Sequence, residues 1–540
     1  MKPLRNALLT LLMMSWALLC ATTSANAAVT LSPAMRNALS GDDTDARIQA
    51  VSQLAAQADA QAVAILNAMK NEALYAKDDT LFIVDGEQAT ALADGRIATL
   101  PDGAEPIALN NRLRAALDSA LSGMKLFSPE QRIRLQAALD LQNEATPEQL
   151  PLLNKAYVKE TDAEIGNLLQ MLIATANLQA DDPAIRKAAV KTLVNSSNPK
   201  LIPVLQAMLA QQADGSYGEA DEGIRIAAVT TLHAIEARLA RMEFAGNLFY
   251  GLSLGSVLLL AALGLAITFG LMGIINMAHG ELLMIGAYTT YLCQLLFRTY
   301  FPAALDAYLL LALPAAFLVS GGVGIILERS VIRWLYGRPL ETLLCTWGIS
   351  LILMQGVRSL FGAQNVEVSN PGWMSGGVTV LGSLVLSYNR LIIIGFSLAV
   401  VLAVWLILNK TRLGLFLRAV TQNRRMADCA GVPTGRIDML TFGLGSGIAG
   451  LGGVALSQLG NVGPDLGQNY IVDSFMVVVL GGVGQLAGTV IAAFGLGELN
   501  KFLEPVAGAV MAKIVILVFI IIFIQRRPQG LFALKGRSVE

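Results

Sequence analysis

Asn276, His279 and Glu281 stand together in an otherwise apolar stretch, GIINMAHGELLMIGAY, from Gly273 to Tyr288. A carboxylate near the centre of a membrane helix costs about 2.5 to 3.5 kcal/mol on insertion scales, so Glu281 needs a protein interior, a watery path or the interface to receive it. Two readings stay open. These residues either cap a helix start at the interface or line a transport path. Metal chemistry fits poorly, because the chain has only His233 and His279 and a His-rich site needs more ligands. Further along, Gly481, Gly482 and Gly484 follow a short apolar run. They can break a helix at membrane depth, which makes them translocation-path candidates beside the polar trio.

The elements that must position these residues are membrane helices. The chain has 540 residues, a mean hydropathy of +0.56, 54% hydrophobic and 15% charged residues, a composition of the membrane class. Its net charge of -1 leaves no electrostatic footprint for nucleic acid. Cysteine carries no chemistry either: Cys20, Cys293, Cys345 and Cys429 form no CxxC pair. Apolar segments lie near 248–271, 277–296, 305–327, 343–360, 391–408, 439–459, 486–499 and 506–524, with a shorter one at Ile471 to Leu480. That predicts eight or nine spans, and nine is preferred. The arginine-rich loops at 328–339 and 410–438 then fall on the cytoplasmic side together with the basic tail.

Ahead of the spans the sequence has another character. Lys2 and Arg5, an apolar run from Ala7 to Leu19 and Ala25-Asn26-Ala27 predict a signal peptide over 1–27. The following polar, helical stretch, 28–245, is expected to be exported. In it Arg47, Ala50, Val51 and Leu54 share a spacing with Arg186, Ala189, Val190 and Leu193, and with Arg225, Ala228, Val229 and Leu232. Such offsets put Ala, Val and Leu on one helical face, and the stretch resembles HEAT-like helical repeats. A small β-hairpin is expected between Thr80 and Pro106. The domains read as 1–27 signal peptide, 28–245 periplasmic helical-repeat domain, 246–526 transmembrane domain and 527–540 cytoplasmic tail.

Five separated motifs carry a family resemblance: the Gly273 stretch, the loop TRLGLFLRAVTQNRRMADCAGVPTGRIDML from Thr411, the run Gly443 to Gly453, the stretch from Val477 and RPQGL at 527–531. In this order they resemble permeases of the branched-chain amino acid family of ABC importers. Read by itself, the loop is a lipid anchor through Arg412, Arg418, Arg424 and Arg425, with a short helix over Leu415 to Ala430 able to dock a partner. The resemblance implies a mainly α, type II-like ABC permease, in which Thr411, Gly414, Arg418, Ala419, Ala427 and Gly431 fall in the loop that couples to an ATPase. Its implied partners are a second homologous permease subunit, two cytoplasmic ABC ATPase subunits and a periplasmic substrate-binding protein, all working at the bacterial inner membrane. ATP belongs to those partners, since the sequence has no GxxxxGK[ST] loop, and no cofactor or enzymatic role is expected of this chain. The exported extension resembles that of urea ABC transporter permeases, which implies urea as substrate. A branched-chain amino acid or short-amide permease, a passive urea or amide channel and a membrane sensor are the alternatives.

Overall fold

The computed structural model describes residues 31–532 apart from 42, 58, 78–79, 86–87, 93–96, 102, 143–145, 213–214 and 381–383. The expected signal peptide and the last eight residues of the tail lie outside the described residues. The chain divides into two compact units between Leu239 and Ala240.

The first unit is a stack of short helices: α1 (Pro33–Ser40), α2 (Thr44–Gln57), α3 (Ala60–Lys70), α4 (Asn111–Met124), α5 (Gln131–Leu141), α6 (Leu150–Lys159), α7 (Ala163–Asn177), α8 (Pro183–Thr192) and α9 (Leu201–Leu209). Side-chain caps begin several of them. Asp162 accepts the Glu164 and Ile165 amides, and Asp182 accepts that of Ala184, satisfying orphan helix donors. Leu54, Leu66, Leu117, Leu141 and Leu153 pack into one core, and Val190, Leu193, Leu205 and Ile224 into a second.

The expected hairpin is larger than its sequence suggests. Five short antiparallel strands, β1 (Leu74–Lys77), β2 (Thr80–Asp85), β3 (Gln88–Ala91), β4 (Ile97–Ala98) and β5 (Glu105–Pro106), form a sheet of order β4-β3-β2-β1-β5. The strand before Thr80 is only four residues long, too short to show alternation, and it pairs Leu74 with Ile83 and Tyr75 with Phe82.

The second unit takes its first helix from α10 (Glu222–Met272) and continues with α11 (His279–Tyr300), α12 (Tyr308–Ser330), α13 (Pro339–Phe361), α14 (Tyr388–Lys410), α15 (Arg412–Gln422), α16 (Arg424–Cys429), α17 (Thr434–Ser457), α18 (Leu466–Gly481), α19 (Leu486–Ala507) and α20 (Ala509–Arg526). Among the described residues seven helices are long and apolar enough to cross a membrane, against the eight or nine expected. The difference lies in α11, which carries His279, Glu281, Gln294 and Arg298, and in α18, whose 16 residues span about 24 Å at 1.5 Å per residue. The stretch 362–389 between α13 and α14 holds a two-stranded hairpin, β6 (Gly377–Val380) and β7 (Leu384–Ser387).

The most apolar windows of α10 and α17 are 83% and 78% buried, whereas those of α13 and α20 are 17% buried. These two helices, with the buried first half of α11, form the centre of the unit. α13, α14 and α20 turn most of their apolar side chains outward, as lipid-facing helices do.

Candidate functional site

At Gly273, where φ is +71°, the long helix α10 ends, and six residues lead to α11. Asn276 is fully buried and accepts the Ala278 amide on Oδ1 at 3.0 Å, while its Nδ2 has no partner. His279 opens α11 and is fully buried. Its Nε2 donates to the Ala261 carbonyl at 2.9 Å, which leaves Nδ1 unpartnered. Because a carbonyl accepts only, this bond fixes the proton on Nε2 and ties α11 to α10.

Glu281 is 1% exposed and accepts from Ser350 Oγ at 3.0 Å on Oε1, with Oε2 unpartnered. One turn before Ser350, Thr346 Oγ1 receives the Met277 amide at 3.1 Å. One face of α13 thus serves Glu281 and the Met277 backbone beside it; on it Thr342, Thr346 and Ser350 recur every four residues and are all buried. Hydropathy does not single out these hydroxyls, since each is individually tolerated in a span. Their i, i+4 spacing is the signal that marks them as a stripe.

Small residues bring the helices close enough for this. The Gly443 to Gly453 run faces α10, α11 and α12 as expected of a smooth helix surface. A Cβ on Gly450 would meet the Ala316 carbonyl at 2.5 Å, one on Gly445 the Gly264 carbonyl at 2.8 Å, and one on Gly453 the Ala287 amide at 2.7 Å. Gly280 lies against the Gly467 backbone in the same way, which seats the start of α18 on the start of α11.

The second set of path candidates is placed differently. Gly482 and Gly484 take φ of +101° and +85°, values that favour glycine, and they make the turn from α18 to α19. Gly481 and Gly482 are buried against backbone: Gly481 approaches Gly488, and Gly482 lies beneath Gly530 and Phe532. The Leu531 amide donates to the Leu480 carbonyl at 2.9 Å. The tail motif RPQGL therefore straps the glycine turn, so these two glycines serve close packing in this structure. Gly484 instead joins Gly414 and Arg418 around a cavity of ≈ 840 Å³ that also takes in Gly270, Trp405 and Gln485.

The expected short helix over Leu415 to Ala430 is two helices, α15 and α16. Asn423 separates them and caps α16 by accepting the Met426 amide at 3.0 Å, the turn role asparagine favours. Gly414 is buried inside α15, where a Cβ would strike the Leu408 backbone. Thr411 donates to the Ile407 carbonyl at 2.6 Å, and exposed Arg418 reaches Asn409 Oδ1 at 3.4 Å. Ala419 is half-buried, Ala427 is buried and Gly431 turns the chain toward α17 with φ of +82°. Arg424 is not a free lipid anchor. It pairs with buried Asp438 and covers the Tyr336 ring at 4.5 Å from its centroid, bracing the pair of helices against α17.

Taken together, the buried polar stripe, the glycine-packed central helices and a braced helical pair between two spans define a polytopic helical membrane protein with the parts of a transport subunit. Residues 247–524, just over half of the chain, match the family described as "Branched-chain amino acid transport system / permease component", and the chain belongs to that family. It is similar to the high-affinity branched-chain amino acid transport system permease protein BraD of Pseudomonas aeruginosa, with 29% identity over 291 residues, 53% of this chain and 94% of that protein. Similarity to the permease protein LivH of Escherichia coli K12 is 28% over 306 residues, 54% of this chain and 96% of that protein. A shorter likeness, 33% over 112 residues, extends to the ribose import permease protein RbsC of Escherichia coli K12, over 19% of this chain and 35% of that one. No solved structure matches.

Proposed function

We propose that this chain is the permease subunit of an ATP-driven ABC importer for urea, forming the path across the bacterial inner membrane with a second homologous permease. Two cytoplasmic ATPases drive it, and a periplasmic binding protein delivers the substrate. The observation that carries the reading is the α15–α16 pair: two amphipathic helices between spans, held rigid on α17 by Arg424 and Asp438, present an exposed face on which a motor can push. A rigid link of this kind suits a subunit moved by another polypeptide.

Urea is favoured over the amino acids named in the relatives by the first unit. BraD and LivH match almost entirely within just over half of this chain, so the helical unit ahead of the permease is an addition to them. We read it as a HEAT-like platform on the periplasmic side, with the tail after α20 in the cytoplasm. The buried Glu281–Ser350 pair supplies hydrogen-bonding groups on the path, suited to a neutral solute rich in N–H. A branched-chain amino acid is the second reading, and the names of the relatives favour it.

Uptake of labelled urea and labelled leucine, in cells lacking the chain and in the same cells with it restored, tests this. Loss and recovery of urea uptake alone, abolished by ATP depletion, is the expected result. Dependence of leucine uptake instead overturns the substrate, urea uptake indifferent to ATP makes the protein a passive channel, and no change in either favours a sensor.

A further inference from the structure

At the end of α17 opposite the α15–α16 pair, a polar cavity of ≈ 300 Å³ opens among Asn365, Asn461, Asp465, Asn469 and Tyr470. The two loops that make it are pinned together. Val366 and Val462 exchange backbone hydrogen bonds of 2.8 and 2.9 Å, and Gly463 lies so close to the Asn365 side chain that a Cβ there would collide with its amide.

Three features define what the cavity can hold. Its one carboxylate is already matched, because Arg358 donates to Asp465 at 2.9 Å, so the walls offer neither a free cation nor a free anion for a zwitterion. Among the described residues, the side-chain amides of Asn365, Asn461 and Asn469 are exposed and make no hydrogen bond within the chain, so a solute would take the place of water on them. Each amide carries two donors and an acceptor, and three of them around one space can meet both the N–H groups and the carbonyl of a small amide. The volume is at the lower limit for ligand pockets, which are about 300 to 1,000 Å³.

We infer that this cavity receives a small neutral amide of the urea type at the outer end of the permease, with the three asparagines as its hydrogen-bonding groups. The inference rests on the urea reading for the identity of the solute and on the orientation that places α15 and α16 in the cytoplasm.

The test uses the complete chain with its partner subunits in intact cells, carrying Gly460→Cys, a lining position where a Cβ meets nothing within 4 Å, and a membrane-impermeant maleimide added outside. The unaltered chain, whose exposed Cys429 lies at the other end of α17, is the background. Labelling of the variant is expected, and urea at twice its dissociation constant should slow it about threefold by simple occupancy, while leucine does not. Adding Asn365→Ala and Asn469→Ala should remove the protection. Urea protection without urea uptake keeps the cavity and overturns the transport reading. Absence of urea protection in cells whose urea uptake depends on the chain overturns the cavity alone, and protection by leucine in place of urea overturns both. Failure of the outside reagent to label the variant, where it labels an Asn469→Cys control no better, also overturns the cavity.

Discussion

In the first unit Arg134 sends Nε and one terminal nitrogen to the two oxygens of Glu160 at 2.8 and 3.0 Å, and its other nitrogen to the Ser128 and Pro129 carbonyls. Arg186 repeats the clasp on Glu219 and on the Ala180 and Asp181 carbonyls. In the second unit helices meet instead through glycine, as Gly286 does with Gly450 and Gly264 with Gly445. Where water can receive whatever a helix end leaves unpaired, charged side chains can join helices at tolerable desolvation. Where lipid surrounds them, close backbone packing is the available attraction, and ions are kept to a few functional places. The two units thus differ in how they should fail. Clasps should weaken by degrees and with pH, and glycine contacts should fail outright.

The largest effect follows from filling one glycine contact. Gly453→Leu puts a side chain where even a Cβ meets the Ala287 amide at 2.7 Å and the Leu283 backbone. Overpacking a core by a few methylenes costs about 1 to 3 kcal/mol, and here rigid backbone stands in the way. We expect no monodisperse full-length protein after detergent extraction, measured by size-exclusion chromatography, while Gly435→Leu, where a Cβ meets nothing within 4 Å, behaves as the parent. Normal behaviour of Gly453→Leu would erase the contrast between the units.

A middle-sized effect belongs to the polar exception inside the second unit. Ser350→Ala removes the one hydrogen bond of Glu281, worth about 1 kcal/mol net and more when a buried acceptor is left bare. Uptake of the transported solute per folded protein should fall about five- to tenfold on the conversion of 1.4 kcal/mol to a factor of ten. Ser359→Ala, on the same helix but bonded only to its own backbone at Gln355, should leave uptake unchanged.

Much of this was readable from residue order. Hydropathy marked the apolar part of the long helices, although α10 begins 26 residues before and α19 ends eight residues beyond the expected bounds, because polar helical turns carry no hydropathy signal. The repeat spacing was read at Arg186 and Arg225, where the arginine bonds the carbonyls five and six residues before it. It was missed at Arg134, Ala137, Ala138 and Leu141 because alanine replaces valine there, although Ala137, Ala138 and Leu141 are all buried. Arg47 has the spacing and also bonds the distant Ala108 carbonyl. Spacing records which residues share a helix face, and it cannot record what lies opposite. For the same reason Ser350, the strap on Gly482 and the partner of Arg424 were hidden: each depends on a residue distant in the chain.

The smallest effect sharpens the comparison from the side of the clasps. Hydrogen bonding to Arg134 and Arg186 holds the Glu160 and Glu219 carboxyls below the ordinary glutamate value of 4.5. A carboxyl with a depressed folded-state pKa binds fewer protons folded than unfolded, so its stabilisation is complete above the unfolded value and drains away as pH falls through the folded one. Lowering the pH below about 4.5 should therefore make α5, α7 and α8 of the full chain exchange amide hydrogens faster, beyond the chemical change in intrinsic rate. In Glu160→Gln, amides around α5 and α7 should already exchange faster at neutral pH and lose part of this acid dependence, while those around α8 keep theirs through Glu219. Amides of 443–453 in α17, where packing against α11 and α12 is by glycine and which lie beyond the Arg424–Asp438 pair at the start of the helix, should show the same protection at both pH values in both proteins. Acid-sensitive exchange there equal to that in α5 would mean that charge, and not close backbone contact, holds the second unit as well.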